Sequence, residues 1–263
     1  MMNRIIRTAA TGMEAQQLYM DNVANNLANV NTTAFKRSKV EFQDLIYQNL
    51  RAAGSSNLQG TYVPTNIQVG NGSRPAANQK IFAQGELTYT NNPLDVAIDG
   101  NGFFQINKPD GTIAYTRDGA LKLSDRGNLV TTDGLEIEPL VTIPENSTSI
   151  SIGQDGYIQV EIYGQVQLQD LGQFTLVKFL NPAGLKSIGQ NLYEETQGSG
   201  PPIIGTPNTE GFGKIVNGYL ESSNVDVVEE LVNMIISQRA YEINSKGVQA
   251  ADDMMSTVNN MRR

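Results

Sequence analysis

The stretch Val23–Phe35, VANNLANVNTTAF, decides how the rest of the chain is read. Five of the ten residues from Asn22 to Asn31 are Asn, a residue whose side chain competes for backbone hydrogen bonds and disfavours helix interiors. Yet the apolar residues around them keep helical spacing. Met2, Ile6, Ala9, Met13, Gln16, Met20, Val23, Leu27 and Val30 follow one another in alternating steps of four and three, and only Gln16 is polar. The spacing predicts a long amphipathic helix with a narrow, heptad-like seam. Asn22, Asn26 and Asn29 flank that seam, where amides bonded across to neighbouring helices would fix register at some cost in stability. Ala24 and Ala28 would let such neighbours come close.

The other end of the chain repeats the pattern. Val227, Met234, Tyr241, Val248 and Met255 recur every seven residues, and Leu231 and Ile235 widen the stripe early on. Gln238, Ser245 and Ala251 make its later half wetter. The preceding SSNVDVVEE predicts a helix start capped by Ser222, Ser223 or Asn224, with Asp226, Glu229 and Glu230 in the first turns.

Between the two ends the composition changes. All 10 Pro lie between Pro64 and Pro207, and only Gly12 and Gly247 of the 25 Gly fall outside Gly54–Gly218. Ends with one Gly each and no Pro around a breaker-rich middle predict terminal helices and a turn-rich β body. Asp-Gly and Asn-Gly pairs at 99–100, 101–102, 110–111, 118–119, 133–134 and 155–156 punctuate short alternating runs, as residues with φ > 0 do in tight hairpins. Short strands at such spacing predict an antiparallel sandwich or barrel-like body. Asn49–Gln79 is long, small-residue rich and weakly patterned, the mark of a functional or disordered connection. The fold class is therefore α+β: terminal helices forming a coiled-coil-like domain, a central antiparallel all-β domain and an extended stretch between. The expected boundaries are 1–34 with 224–263 for the helical domain, 35–79 for the extended segment and 80–223 for the β domain.

Chemistry is narrowed by what the chain lacks. It has no Cys and no His, so disulfides, thiolate and Ser/His nucleophile systems and zinc sites find no residues to build them. The Asp-Gly pairs lack the D-x-D-x-D-G spacing of a calcium loop and read as turns. GNGFF at Gly100–Phe104 is followed by a strand pattern rather than the helix a phosphate loop requires. Paired acids such as Glu136/Glu138 and Glu194/Glu195 read as solvated surface rather than as a glycosidase pair. No catalytic residue, cofactor or metal is expected. Residues 1–51 carry +2, 52–223 carry −8 and 224–263 carry −2, with no basic stripe for a phosphate backbone. No run of ~18 apolar residues could cross a membrane. The N-terminal MMNRIIRTAATGMEAQQ has no continuous apolar signal core, which taken alone predicts a cytoplasmic protein.

Two arrangements fit the terminal stripes: an ordinary intrachain pair, or interaction elements completed by other copies. The second is favoured by narrow Ala- and Met-rich faces, polar Gln16 and Gln238 in the seams, and the amides beside Val23, Leu27 and Val30. The expected assembly residues are Met13, Met20, Val23, Asn26, Leu27, Asn29, Val30, Val227, Leu231, Met234, Tyr241, Val248 and Met255.

VANNLANVNTTAFKRS resembles the N-terminal signature of the flagellar rod and hook axial proteins, and ESSNVDVVEELVNMIISQRAYEINSKGVQAADDMM their C-terminal signature. LDVAIDGNGFFQI, AYTRDGALKLSDRGNLVTTDG, FLNPAGLKSIGQNLY and NGYLESSNV are similar to the family's middle segments, so the resemblance covers nearly the whole chain. It implies a structural subunit that assembles helically with copies of itself into a rigid hollow shaft carrying motor torque. It further implies export through the flagellar apparatus without a cleaved signal, which replaces the cytoplasmic reading with a rod across the periplasm. The implied partners are other copies, proximal rod proteins, the hook protein, surrounding ring proteins and the export apparatus, with neither nucleic acid nor membrane insertion. The stretch after the first helix, with Ser55, Gln59, Tyr62 and Val63, is implied to stiffen the rod. The chain departs from the family pattern at Ala34, usually Gly, which argues against a left-handed backbone there, and at Gly247, usually apolar, which should weaken the second helix by roughly 0.5–1 kcal/mol. The competing readings are a proximal rod or hook-type member, a periplasmic β-domain binding module dimerised by its helices, and a carboxylate-based enzyme.

Overall fold

The computed structural model describes residues 2–51, 53, 65–163 and 167–261. Helix α1 spans Met2–Ala28 and helix α2 spans Val227–Met261, with a β-rich middle between them. The α+β class stands. The chain divides into two compact units: one of 1–27, 38–79 and 226–263, the other of 28–37 and 80–225.

In the helical unit, α2 starts at least two residues later than its sequence suggests. Asp226 is the cap: its Oδ1 accepts the Val228 N–H at 2.8 Å and the Glu229 N–H at 3.1 Å. Ser222, Ser223 and Asn224 therefore do not cap it. A carboxylate there satisfies two orphan donors and also meets the positive end of the helix dipole, which a hydroxyl does not. Gly247 lies within α2, and a methyl group added to it would meet nothing within 4 Å. The stretch after α1 forms strand pairs in this unit. Ser38–Asp44 lies beside Ser73–Lys80, and Gln48–Arg51 pairs antiparallel with Ile67–Val69.

The β unit is built on a seven-stranded sheet. Its order is Lys186–Gly189, Leu192–Glu194, Ile113–Thr116, Phe104–Asn107, Glu136–Glu138, Leu129–Val130 and Lys122–Leu123. Each neighbour pair in it is antiparallel. A three-stranded sheet of Ser147–Ile152, Tyr157–Ile162 and Gln169–Gln173 and the pair Val96–Asp99/Lys214–Asn217 supply the other walls. One apolar core joins them: Phe104 and Ile106, Ile137, Ile158 and Val160, Ile98 and Ile215 are all at or near zero exposure. Alternation along each strand places these residues on one face.

Hairpins close where three of the Asp-Gly pairs stand, with Gly111, Gly134 and Gly156 at φ of 79°, 81° and 84°. Gly119 is different. It is not in the left-handed region, and a Cβ on it would fall 1.6 Å from the Val96 carbonyl oxygen. That glycine serves close backbone approach, not a turn.

Candidate assembly interface

The amides of α1 find partners within the helical unit. Asn26, 1 % exposed, reads the backbone of Ser38 like a neighbouring strand: its Nδ2 donates to Ser38 O and its Oδ1 accepts from Ser38 N, both at 2.9 Å. The same Nδ2 lies 3.2 Å from Glu230 Oε1 on α2. Asn22 donates to Asn78 Oδ1 at 3.0 Å. Asn29 ends the helix instead, accepting the Thr32 hydroxyl at 3.2 Å. Within one chain, Asn22 and Asn26 bond to the chain's own strand and helix. A twin bond to a backbone strand needs an amide carrying both a donor and an acceptor, which explains Asn at 26.

The strand segment then follows α1 backwards. Ser38 sits at Asn26, the Phe42 ring is 6.2 Å from Tyr19, and Gln48 Oε1 accepts from Arg4 at 3.2 Å. Gly72 presses so closely on α1 that a Cβ would lie 2.1 Å from Thr11 Oγ1. The helices touch at small and polar positions. A Cβ on Gly12 would meet Asn244 Nδ2 at 3.0 Å, and Asn26 meets Glu230. Fourteen residues separate the contacts on each helix, so α1 and α2 run antiparallel. Ala15, Val23, Ser237 and Ala251 are buried along them.

This polar seam leaves the apolar side of α2 in water. Val228, Ile235, Ile236 and Ile243 are each more than half exposed, and Val232 is close to it. Of the predicted residues, Val23 and Asn26 are buried. Met13, Met20, Leu27, Asn29, Val30, Met234, Val248 and Met255 are half-buried, and Val227, Leu231 and Tyr241 are exposed. Ser55, Gln59, Tyr62 and Val63 lie outside the described residues. The seven-residue repeat of α2 therefore runs beside the polar seam rather than down its centre.

The β unit holds a charge cluster that pattern reading missed. Glu221 is fully buried and binds two cations: Lys36 Nζ at 2.5 Å on Oε1 and Arg117 Nε at 2.9 Å on Oε2. The Gly85 N–H adds a third bond to Oε1 at 2.9 Å. Arg117 also donates to the carbonyls of Ile98, Gly100 and Gly102, so the start of GNGFF wraps a guanidinium. Lys36 also donates to Ala83 O. Burial, with Arg117 adding to it, lowers the Lys36 ammonium to about 8, against the pull of Glu221. Around this centre the segment 28–37 is tied to the β unit. Ala34 N–H donates to Glu221 O at 2.7 Å, Thr33 Oγ1 to Asp118 at 3.1 Å, and Asn191 to Thr33 O at 3.0 Å. Asn224 accepts from Arg37 N and donates to the carbonyls of Ile81 and Ala83. Ala34 holds φ = 54°. The left-handed backbone is kept without glycine, because the Glu221 bond and burial of the methyl hold it there. The available signal was a Lys, an Arg and a Glu each just after a short apolar–aromatic stretch, in AFKRS, AYTRDG and GYLESS.

Family models match at both ends and in the middle. Residues 6–36 match the flagella basal body rod protein model, 97–160 the flagellar hook protein FlgE/F/G D1 domain, and 216–261 the flagellar basal body rod FlgEFG protein C-terminal model. Lys36 and Glu221 fall inside the two terminal matches. The chain is 50 % identical to the flagellar basal-body rod protein FlgG of Buchnera aphidicola subsp. Schizaphis graminum, over 95 % of this chain and 96 % of that protein. It is 48 % identical to FlgG of Borreliella burgdorferi and 38 % identical to FlgG of Bacillus subtilis, each over the full length of both chains. The chain belongs to the FlgG family of flagellar basal-body rod proteins and is a structural protein of the flagellar rod.

Proposed function

We propose that this chain is the subunit of the distal rod, polymerising helically through its terminal helices into a rigid hollow shaft that carries motor torque to the hook. The observation that carries this reading is the apolar side of α2. Val228, Val232, Ile235, Ile236 and Ile243 form an aliphatic stripe in water on a helix whose intrachain seam is already filled by polar and small groups. A stripe of that extent marks an association surface. Neighbouring copies cover it, and with it Val227, Leu231 and Tyr241, in a coiled-coil-like inner tube. Contacts between unlike faces repeat without closing and so build a filament. Of the expected helical domain 1–34 with 224–263, the helices α1 and α2 form that tube, 28–37 joins 80–223 in the outer β domain, and the rest of the 35–79 segment stiffens the shaft through Ser55, Gln59, Tyr62 and Val63.

The rod lies across the periplasm, and the chain reaches it through the flagellar export apparatus without a cleaved signal. It joins proximal rod proteins at one end and the hook protein at the other, inside surrounding ring proteins. Its work is mechanical: many small contacts in parallel, with no catalytic step. Absence of Cys removes stray disulfides from an oxidising compartment. The test is Ile235→Asp in a strain dependent on this chain. The expected variant is folded in solution, forms no rod and leaves cells non-motile. Motile cells with full rods would contradict the reading.

A further inference from the structure

A second surface of the β unit is built to hold something. A cavity of about 550 Å³ opens beside the strand Leu176–Lys178, its lining mostly apolar. Its floor is aromatic: Phe103 stacks edge-on against Phe82 at 5.4 Å and Phe179 at 5.9 Å. Its rim carries Leu180, 90 % exposed, and Ile203. At the edge, Lys178 Nζ stands 4.9 Å over the Phe212 ring, and among the described residues no carboxylate pairs with it. The pocket thus asks for an aromatic or aliphatic side chain next to a negative charge.

The same unit displays such a group elsewhere. The strands Tyr157–Ile162 and Gln169–Gln173 are paired as a hairpin, and Tyr163 follows the first of them. It is 87 % exposed, the most exposed aromatic among the described residues, with Leu168 also exposed across the hairpin. Two exposed acids flank them, Glu161 and Asp170, and neither forms an ion pair among the described residues. We propose that Tyr163 of one copy docks in the Phe82–Phe103–Phe179 cavity of a neighbouring copy, with Glu161 or Asp170 at Lys178. A tyrosyl ring suits an edge-to-face aromatic floor. Opposite charge at the rim sets partner and orientation more than affinity. Groove and hairpin are different patches, so the contact is heterologous and propagates. It gives the β unit a subunit contact of its own, apart from the helices, and it rests on the rod-subunit reading above.

The test places a photoreactive benzoylphenylalanine at position 163 of the full chain, in cells, followed by isolation of basal bodies, irradiation and mapping of the adducts. The expected result is an intermolecular link to peptides carrying Phe179, Leu180 or Ile203. Lys178→Glu should lower its yield by about tenfold or more, and adding Glu161→Lys with Asp170→Lys should restore it. Links that map elsewhere in rods containing the chain would overturn this contact and leave the rod reading intact. Basal bodies without the chain would overturn both.

Discussion

Glu221 sets the order of sensitivity among single residues. Removing its charge by Glu221→Gln leaves Lys36 and Arg117 buried without a counter-charge, and should destabilise the chain by about 3–5 kcal/mol. Lys36→Met should cost distinctly less, because Arg117 still balances Glu221. Chemical denaturation of both variants checks the ranking, and equal losses would contradict it. The pH dependence follows from the same cluster. Lys36 binds its proton less tightly when folded, at about 8 against an ordinary 10.5. Between those values the unfolded chain holds more protons, so this group adds stability as pH rises through the window from about 8 to 10.5. Wild type should therefore gain stability relative to Lys36→Met between pH 7 and 9.5, and a relative loss would contradict the assignment. None of this was legible from periodicity. A buried charge leaves no repeat, and its partners lie far apart in the chain.

The helices were legible in kind and length, because apolar periodicity without Pro is a local property. Which face packs inward was not. The heptad reading places Met and Leu in the seam. The structure fills the intrachain contact with Gly12, Asn26, Glu230 and Asn244, because a strand running along α1 needs an amide that can bond its backbone. Asn26→Ala should cost about 1–3 kcal/mol, since it strands the Ser38 N–H and carbonyl. Urea unfolding measures this, and a neutral outcome would refute the clamp. Gly247 offers the opposite case. It has open space around it, so Gly247→Ala should stabilise α2 by roughly 0.5–1 kcal/mol, readable as a rise in helix melting. No gain would mean that the position is held by something other than helix propensity. The strands at 38–51 and 67–80 escaped the sequence reading because half their residues are polar and their partners stand across a long gap.

At the scale of the whole molecule, composition alone separated helical ends from a β middle, and the six segments that carry the family resemblance pointed to the rod. The division into units was less visible, because residues 28–37 belong with the β unit through Glu221, Asp118 and Asn191 rather than with the helix they follow. Deleting Ser55–Val63 should leave a chain that polymerises into a softer or bent rod, seen by electron microscopy. A straight rod would contradict the stiffening role. The central claim is that other copies cover the exposed side of α2. Trypsin tests it directly at Arg239, which is exposed, and at Lys246. In the purified monomer both bonds should be cut early, while in isolated rods both should resist and exposed sites of the β unit remain open. Equal cleavage of α2 in monomer and rod would mean that the helix is not an assembly surface.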